Sequence, residues 1–402
     1  MSQEIPIREI FAWLKARPMG VTLGLGILAR VAQFAANRQG WMDEGALVAN
    51  IKSLDPIRFF GPLVSTQLAT PGFLTLEWLV GKVLGHGMTA MRLVPLVGGV
   101  IALFLFRALS REVLSAGAVL LAVLLFASAD DAIYFSSEAK QYSTDLTIAL
   151  ACWLLGTRAE TRRGLIALAG FGAVALWFAH PAVFVLAGVG LSGILSELRK
   201  RDWSQAGLWS LVGVAWLVSF AGVHAVAMEQ LGHQTAMWAF WDFAFPPWPP
   251  RSVWDATWVP RRLLYFLINP LKFDAPFGAS ISPLPAAVLV ILGGWLLARR
   301  NVRAFAMLIL PVVFALVSSG LRLYPFHGRL VFFLIPVPLL MIAKALNALR
   351  PRRILFWCGV VMTIAIPVSI DAYHLLVPRD RIETHRHGDR RPGTLDPYRY
   401  PF

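Results

Sequence analysis

The sequence is poor in cysteine and in charge. Its two cysteines, Cys152 and Cys358, both fall inside apolar runs, which argues against a disulfide framework and against a cysteine-built metal site. Only 15% of the 402 residues are charged, where soluble domains carry about 25%, so an ordinary water-soluble domain is excluded. No GxGxxG, Walker or HExxH pattern occurs, and with them go the familiar nucleotide loops and the zinc-protease helix. Internal repeats are absent, as are low-complexity tracts beyond paired prolines. The N-terminus lacks a short apolar core followed by small residues, so the first apolar run reads as a retained helix.

What is there is apolar: 57% of the residues are hydrophobic. Runs of about 17 to 20 apolar residues recur along nearly the whole chain, the pattern of a polytopic membrane protein. The net charge of +14 sits in short loops between these runs. That placement is a topology signal rather than a stripe for a polyanion, and no nucleic-acid partner is expected.

Orienting the runs by Lys and Arg gives an all-α bundle of about eleven crossings. The first, 18–36, follows Arg8, Lys15 and Arg17, which places its far end and Asp43-Glu44 on the outer face. Residues 37–90 form a long outer loop, whose Pro71–Lys82 stretch suits a helix lying in the interface. Further crossings are expected at 91–109, 112–129, 140–157, 165–179, 182–197 and 206–227. A second long outer loop, 228–282 (the fourth outer connection), is rich in Trp, Phe and Pro and also reads as interfacial helices. The last crossings fall at 283–298, 304–320, 326–345 and 354–370. Residues 1–370 thus read as one transmembrane domain. The 371–402 tail is polar and rich in Arg, His and Pro, and is expected to be external and poorly ordered.

Four clusters converge on the outer face under this topology: Asp43-Glu44; Glu138, Lys140 and Tyr142; His180-Pro181; and Arg322, Tyr324, His327 and Arg329. Adjacent carboxylates beside a bilayer are costly unless they work or find partners. Arg322 and Arg329 break the positive-inside pattern, and a guanidinium fork on that side suits a phosphate, although pairing with Glu138 or snorkelling would also accommodate them. Glu138 and Tyr142 lie four apart and would share a helix face, with Lys140 pointing elsewhere unless the helix starts after it. His180 before proline reads either as a helix-end residue or as a binding residue. A carboxylate able to take a proton and cations able to hold a phosphate are what sugar transfer from a lipid phosphate needs. A flippase for a lipid-linked or anionic solute, or a non-catalytic scaffold, would use the same charges.

The acidic pair opening the first outer loop, Glu138-Ala139-Lys140-Gln141-Tyr142 and Tyr324-Pro325-Phe326-His327-Gly328-Arg329 resemble the motifs of the polytopic GT-C glycosyltransferases. The resemblance covers most of residues 10–370 and points to the branch holding protein O-mannosyltransferases, aminoarabinose transferases of lipid A and Rgt-type galacturonosyltransferases. It implies transfer of a sugar from a polyprenyl-phosphate donor to an external glycan, lipid or protein acceptor, at the outer face of a bacterial inner membrane. By the same resemblance Asp43 is the catalytic base and Glu44 shapes the acceptor site. Glu138, Lys140, Tyr142 and Arg329 line the donor side. Lys140 stands where relatives usually carry Arg, and Gln67-Leu68-Ala69-Thr70-Pro71 replaces a stretch in which many relatives have an acid or Lys. No metal ligands are assigned and no cofactor is firmly implied, a divalent cation being the one candidate.

Overall fold

The computed structural model describes residues 17–65, 67–232, 235–273, 282–377 and Arg379. Among these every regular element is a helix. The expected first-loop basic residues Arg8 and Lys15 and most of the tail lie outside the described residues.

In chain order the helices are α1 Pro18–Ala35, α2 Met42–Ser53, α3 Pro71–Leu84, α4 Leu93–Val113, α5 Ala116–Ala127, α6 Asp130–Phe135, α7 Tyr142–Arg158, α8 Arg162–Ala175, α9 Ala182–Lys200 and α10 Trp203–Leu231. They continue with α11 Thr235–Phe240, α12 Trp258–Ile268, α13 Leu284–Arg300, α14 Val302–Gly320, α15 Pro336–Leu349, α16 Arg353–Val360 and α17 Ile366–Leu376. Prolines at the first turns of α1, α3, α13, α15 and α17 start helices where a missing N–H costs nothing.

Six helical stretches are long and apolar enough to cross a membrane, or seven if the bent pair Gly328–Leu334 and Pro336–Leu349 is one span. The chain is a membrane protein. The other four expected crossings coincide with the shorter helices α5, α7, α8 and α13, of 12, 17, 14 and 17 residues. The described helix α17 continues to Leu376, past the residue 370 at which the last crossing was expected to end.

Packing follows the small residues. α9 lies along α14, α4 along α7, and α13 along α15. A Cβ on Gly293 would stand 1.8 Å from the Met341 carbonyl oxygen, so only glycine lets α13 approach α15 this closely. At the centre, Trp153 is fully buried and donates Nε1–H to the Met307 carbonyl at 3.0 Å, while Phe106 stacks on Phe126.

A second, smaller apolar cluster sits at the end of the bundle where α1 and α10 finish and α4 and α7 begin. Leu47, Ile51, Phe59, Leu63, Phe73, Leu74 and Met91 build it from α2, the 56–60 turn, α3 and the entrance to α4. α3 is 14 residues long and packs against α2 and the 56–60 turn, with Phe73, Leu74 and Glu77 facing in. Val83 and Leu84 are exposed, which fits the interfacial helix expected there.

Candidate active site

α2 starts at Met42, and its first turn contains both Asp43 and Glu44. Acids in a first turn are favoured by the unpaired N–H groups and the helix dipole, and Glu44 closes the cap by accepting the Trp41 N–H at 3.3 Å. Successive helical residues point about 100° apart, so the two acids enter different environments.

Glu44 goes inward. It is fully buried, and Arg38 Nη1 lies 2.8 Å from its Oε2 while Arg92 Nε and Nη2 lie 2.9 Å from Oε1 and Oε2. The Ala139 N–H donates to Oε1 at 2.8 Å, and Arg92 also donates to the Arg38 carbonyl at 2.8 Å. Burial pushes the Glu44 carboxyl up, but Arg92 and Arg38 outweigh it and hold it below the usual range. A buried ion cluster of this kind adds little net stability, yet removing one partner costs about 3–5 kcal/mol because a charge is stranded. Glu44 therefore ties three segments together, from 38, 92 and 139. The family resemblance has Glu44 shape the acceptor site; with its carboxylate fully buried, Glu44 reaches such a site only through the segments it ties together.

Asp43 goes the other way and keeps 18% of its side chain exposed. Lys140 Nζ lies 3.0 Å from its Oδ1 and Arg329 Nη2 3.2 Å from its Oδ2. Gln67 bridges acid and base: its Nε2 donates to Asp43 Oδ1 at 2.9 Å, and its Oε1 accepts from Lys140 Nζ at 2.5 Å. Burial raises the Asp43 carboxyl, but Lys140 first and then Arg329 more than cancel this and hold it at about 2. Burial in turn pushes the Lys140 ammonium down, with Asp43 opposing. α7 begins at Tyr142, so Lys140 precedes the helix and is free to turn toward Asp43. The same boundary takes Glu138 off the Tyr142 helix face; Glu138 instead accepts the Trp41 indole N–H at 3.2 Å.

Arg329 is boxed by rings. Its guanidinium carbon lies 5.1 Å from the Trp41 centroid, 5.7 Å from Tyr142 and 5.8 Å from Trp241. Gly328 before it has φ +45, a left-handed backbone that turns Arg329 back toward α2, and the Asn269 amide packs 3.4 Å from where its Cβ would be. His327, on the other side of that glycine, stacks on Tyr265 at 4.8 Å, and its Nδ1 lies 3.1 Å from Arg262 Nη1. Arginine can only donate, so Nδ1 accepts and the ring proton sits on Nε2, facing the Tyr265 hydroxyl 3.5 Å away. Burial, then Arg262 and Arg329, push this imidazole down to about 3, so it is neutral at physiological pH.

The remaining predicted residues lie elsewhere. Arg322 pairs with Asp242, both exposed, and not with Glu138. Tyr324 donates to the Leu330 carbonyl at 2.7 Å and meets Phe184 edge-on, bracing the turn that carries Arg329. His180 has no hydrogen bond at Nε2 among the described residues; burial and then His224 push it down to about 4.

Several partners escaped the sequence reading. Arg38, Arg92, Trp41 and Trp241 carry no local signal of their role. Gln230, in the last turn of α10, is fully buried; its Nε2 donates to the Phe59 carbonyl at 2.6 Å and its Oε1 accepts the Ala69 N–H at 3.3 Å. It thereby pins both sides of the stretch that contains Gln67. Among the described residues no three His, Cys, Asp or Glu side chains come together to hold a metal. The residues around Asp43 do not fit a divalent cation: the Lys140 ammonium already lies against its Oδ1 and the Arg329 guanidinium against its Oδ2.

No protein-family signature and no curated protein sequence matches the chain. Its fold does match solved structures. ArnT from Cupriavidus metallidurans in the apo state has a TM-score of 0.56 at 17% identity, covering 91% of this chain and 66% of that one. The same protein bound to undecaprenyl phosphate gives 0.56 at 15%, with 92% and 66% covered. The Archaeoglobus fulgidus oligosaccharyltransferase in the apo form gives 0.54 at 12%, with 90% and 56% covered. The chain therefore spans slightly less than two thirds of the length of ArnT, and the likeness is one of fold.

Proposed function

We propose that this chain, whose fold is that of the GT-C membrane glycosyltransferases, transfers a sugar from a polyprenyl-phosphate donor to an acceptor hydroxyl outside a bacterial inner membrane. One observation carries the reading. A single partly exposed carboxylate, Asp43, is held between two cations and a carboxamide at the end of a bundle of apolar helices.

In the resting protein Asp43 is too weak a base to take a proton, because Lys140 and Arg329 stabilise its charge. A lipid phosphate approaching the exposed side of Asp43 competes for those cations. As Lys140 and Arg329 turn to the phosphate, burial acts on Asp43 with less opposition, and its proton affinity rises where it is needed. Asp43 then accepts the proton of the acceptor hydroxyl as that oxygen attacks the anomeric carbon. The bond from that carbon to the phosphate oxygen breaks, and the negative charge gained by the lipid phosphate is met by Lys140 and Arg329. Gln67 keeps Lys140 and Asp43 in register through the exchange. Trp41, Tyr142 and Trp241 restrict where Arg329 swings and keep water from its face.

The test compares envelope glycans, lipids and proteins by mass spectrometry in intact, deleted and Asp43→Asn cells. The reading expects deletion and Asp43→Asn to lose the same sugar-sized increment while the variant protein persists in the membrane. Loss on deletion but not in Asp43→Asn would make transport of a lipid-linked solute the better account.

A further inference from the structure

Arg379, just past the end of α17, is docked on the bundle. Its Nη1 lies 2.6 Å from Asp130 Oδ2 and 2.6 Å from Asp131 Oδ1, at the start of α6. Gln33 of α1 grips its backbone twice, accepting the Arg379 N–H at 3.2 Å and donating to its carbonyl at 3.0 Å. The Arg379 guanidinium carbon also lies 4.6 Å from the centroid of the Tyr134 ring. The same ring carries Arg38, again at 4.6 Å. Arg38 is the arginine that holds Glu44, and its other nitrogen reaches the Ser137 carbonyl at 3.4 Å. The turn after α6 is thus fastened on two sides. Ser136 and Ser137 hydroxyls cap Ile133 and Tyr134 carbonyls at 2.6 and 2.9 Å, and Ala139 N–H is held by Glu44. That turn presents Glu138 and Lys140.

We propose that Arg379 is a positioning residue, which braces the 136–140 turn from just past the last helix through the Tyr134 ring, Arg38 and Glu44. Nothing in the reaction needs Arg379 to touch substrate. Two guanidiniums stacked on one ring repel each other unless each has its own carboxylate, and here each does: Arg38 has Glu44, and Arg379 has Asp130 and Asp131. Replacing Arg379 removes one support of Tyr134 and leaves two neighbouring acids facing each other without a cation.

The proposal's activity arm rests on the transferase reading; its structural arm does not. In the purified full chain, Arg379→Met is expected to speed hydrogen exchange at 130–141 about ten-fold, with α9 and α14 unchanged. Arg379→Lys keeps a cation beside Asp130 and Asp131 but loses the planar stack on Tyr134, and is expected to recover only part of the protection. In a transfer assay Arg379→Met lowers kcat several-fold while the acceptor KM changes less than about two-fold, the mark of a displaced Lys140 rather than a lost binding surface. Exchange at 130–141 within about two-fold of the unaltered protein overturns the proposal. Should Arg379→Met loosen the whole bundle, Gln33→Leu, which spares every charge, decides: selective loosening at 130–141 supports the brace, and no change or general loosening refutes it. If the unaltered protein transfers nothing, the functional reading fails while the exchange result still stands.

Discussion

Replacing Asp43 by asparagine separates base catalysis from charge balance. The side chain keeps its shape, and the oxygen facing Gln67 still accepts its amide, so the local hydrogen bond survives. What disappears is the counter-charge 3.0 Å from Lys140 and 3.2 Å from Arg329. Two effects of opposite sign follow. A positioned general base is worth about 10² to 10⁴ in rate, or about 3–5 kcal/mol of barrier. Deleting one negative charge about 6 Å from a bound phosphate, at an effective dielectric of about 20, changes the Coulomb energy by about 3 kcal/mol; the partial exposure of Asp43 and Arg329 reduces this to about 1–2 kcal/mol, so phosphate binding tightens about five- to thirty-fold. The assay is single-turnover transfer together with equilibrium binding of polyprenyl phosphate to purified Asp43→Asn. Slower transfer with tighter binding supports the arrangement. Turnover within about ten-fold of the parent, or weaker phosphate binding, refutes the assignment of Asp43 as base flanked by phosphate-binding cations.

Three further outcomes follow from the same geometry. Glu44→Gln strands Arg38 and Arg92 in the interior and is expected to cost about 3–5 kcal/mol, visible as loss of folded protein from the membrane where Asp43→Asn accumulates normally. Gln230→Leu leaves the Phe59 carbonyl and Ala69 N–H without their buried partner, at about 1–3 kcal/mol each, and is expected to slow transfer by freeing Gln67; unchanged melting temperature and unchanged turnover would count against it. His327 is neutral when folded down to about pH 3 but protonates near 6.5 when unfolded, so folded stability is full above 6.5 and falls as pH drops from 6.5 toward 3. Asp43, held at about 2, keeps its contribution until pH falls below about 4. Melting temperature followed from pH 7 to 4 is therefore expected to fall less steeply in His327→Gln; identical slopes would remove His327 as a source.

The helical bundle was legible because apolar runs and basic loops alternate, a long-range regularity that survives without any contact information. The convergence of Asp43, Lys140 and Arg329 was legible through motif resemblance and through the misplaced charge of Arg329. Other features were hidden for definable reasons. Asp43 and Glu44 are neighbours in sequence, and nothing local says which of the two stays partly exposed beside Lys140 and which is buried against Arg38 and Arg92. Whether Glu138 shares a face with Tyr142 depended on the helix starting at Tyr142, a boundary that composition does not mark. Arg322 has the same charge as Arg329 and was placed on the same side by the same reasoning, but it spends that charge on Asp242, eighty positions away. Gln230 lies in the polar last turn of a mostly apolar helix, and its two backbone partners are more than 160 residues distant.

The length of α10 has a mechanical consequence. Its 29 residues amount to about 43 Å of helix, against a hydrocarbon core of about 30 Å. A helix that much longer than the core tilts or projects past it; because Gln230 in its last turn is hydrogen-bonded to the Phe59 carbonyl and the Ala69 N–H, the stretch carrying Gln67 is tethered to that helix end and follows its tilt.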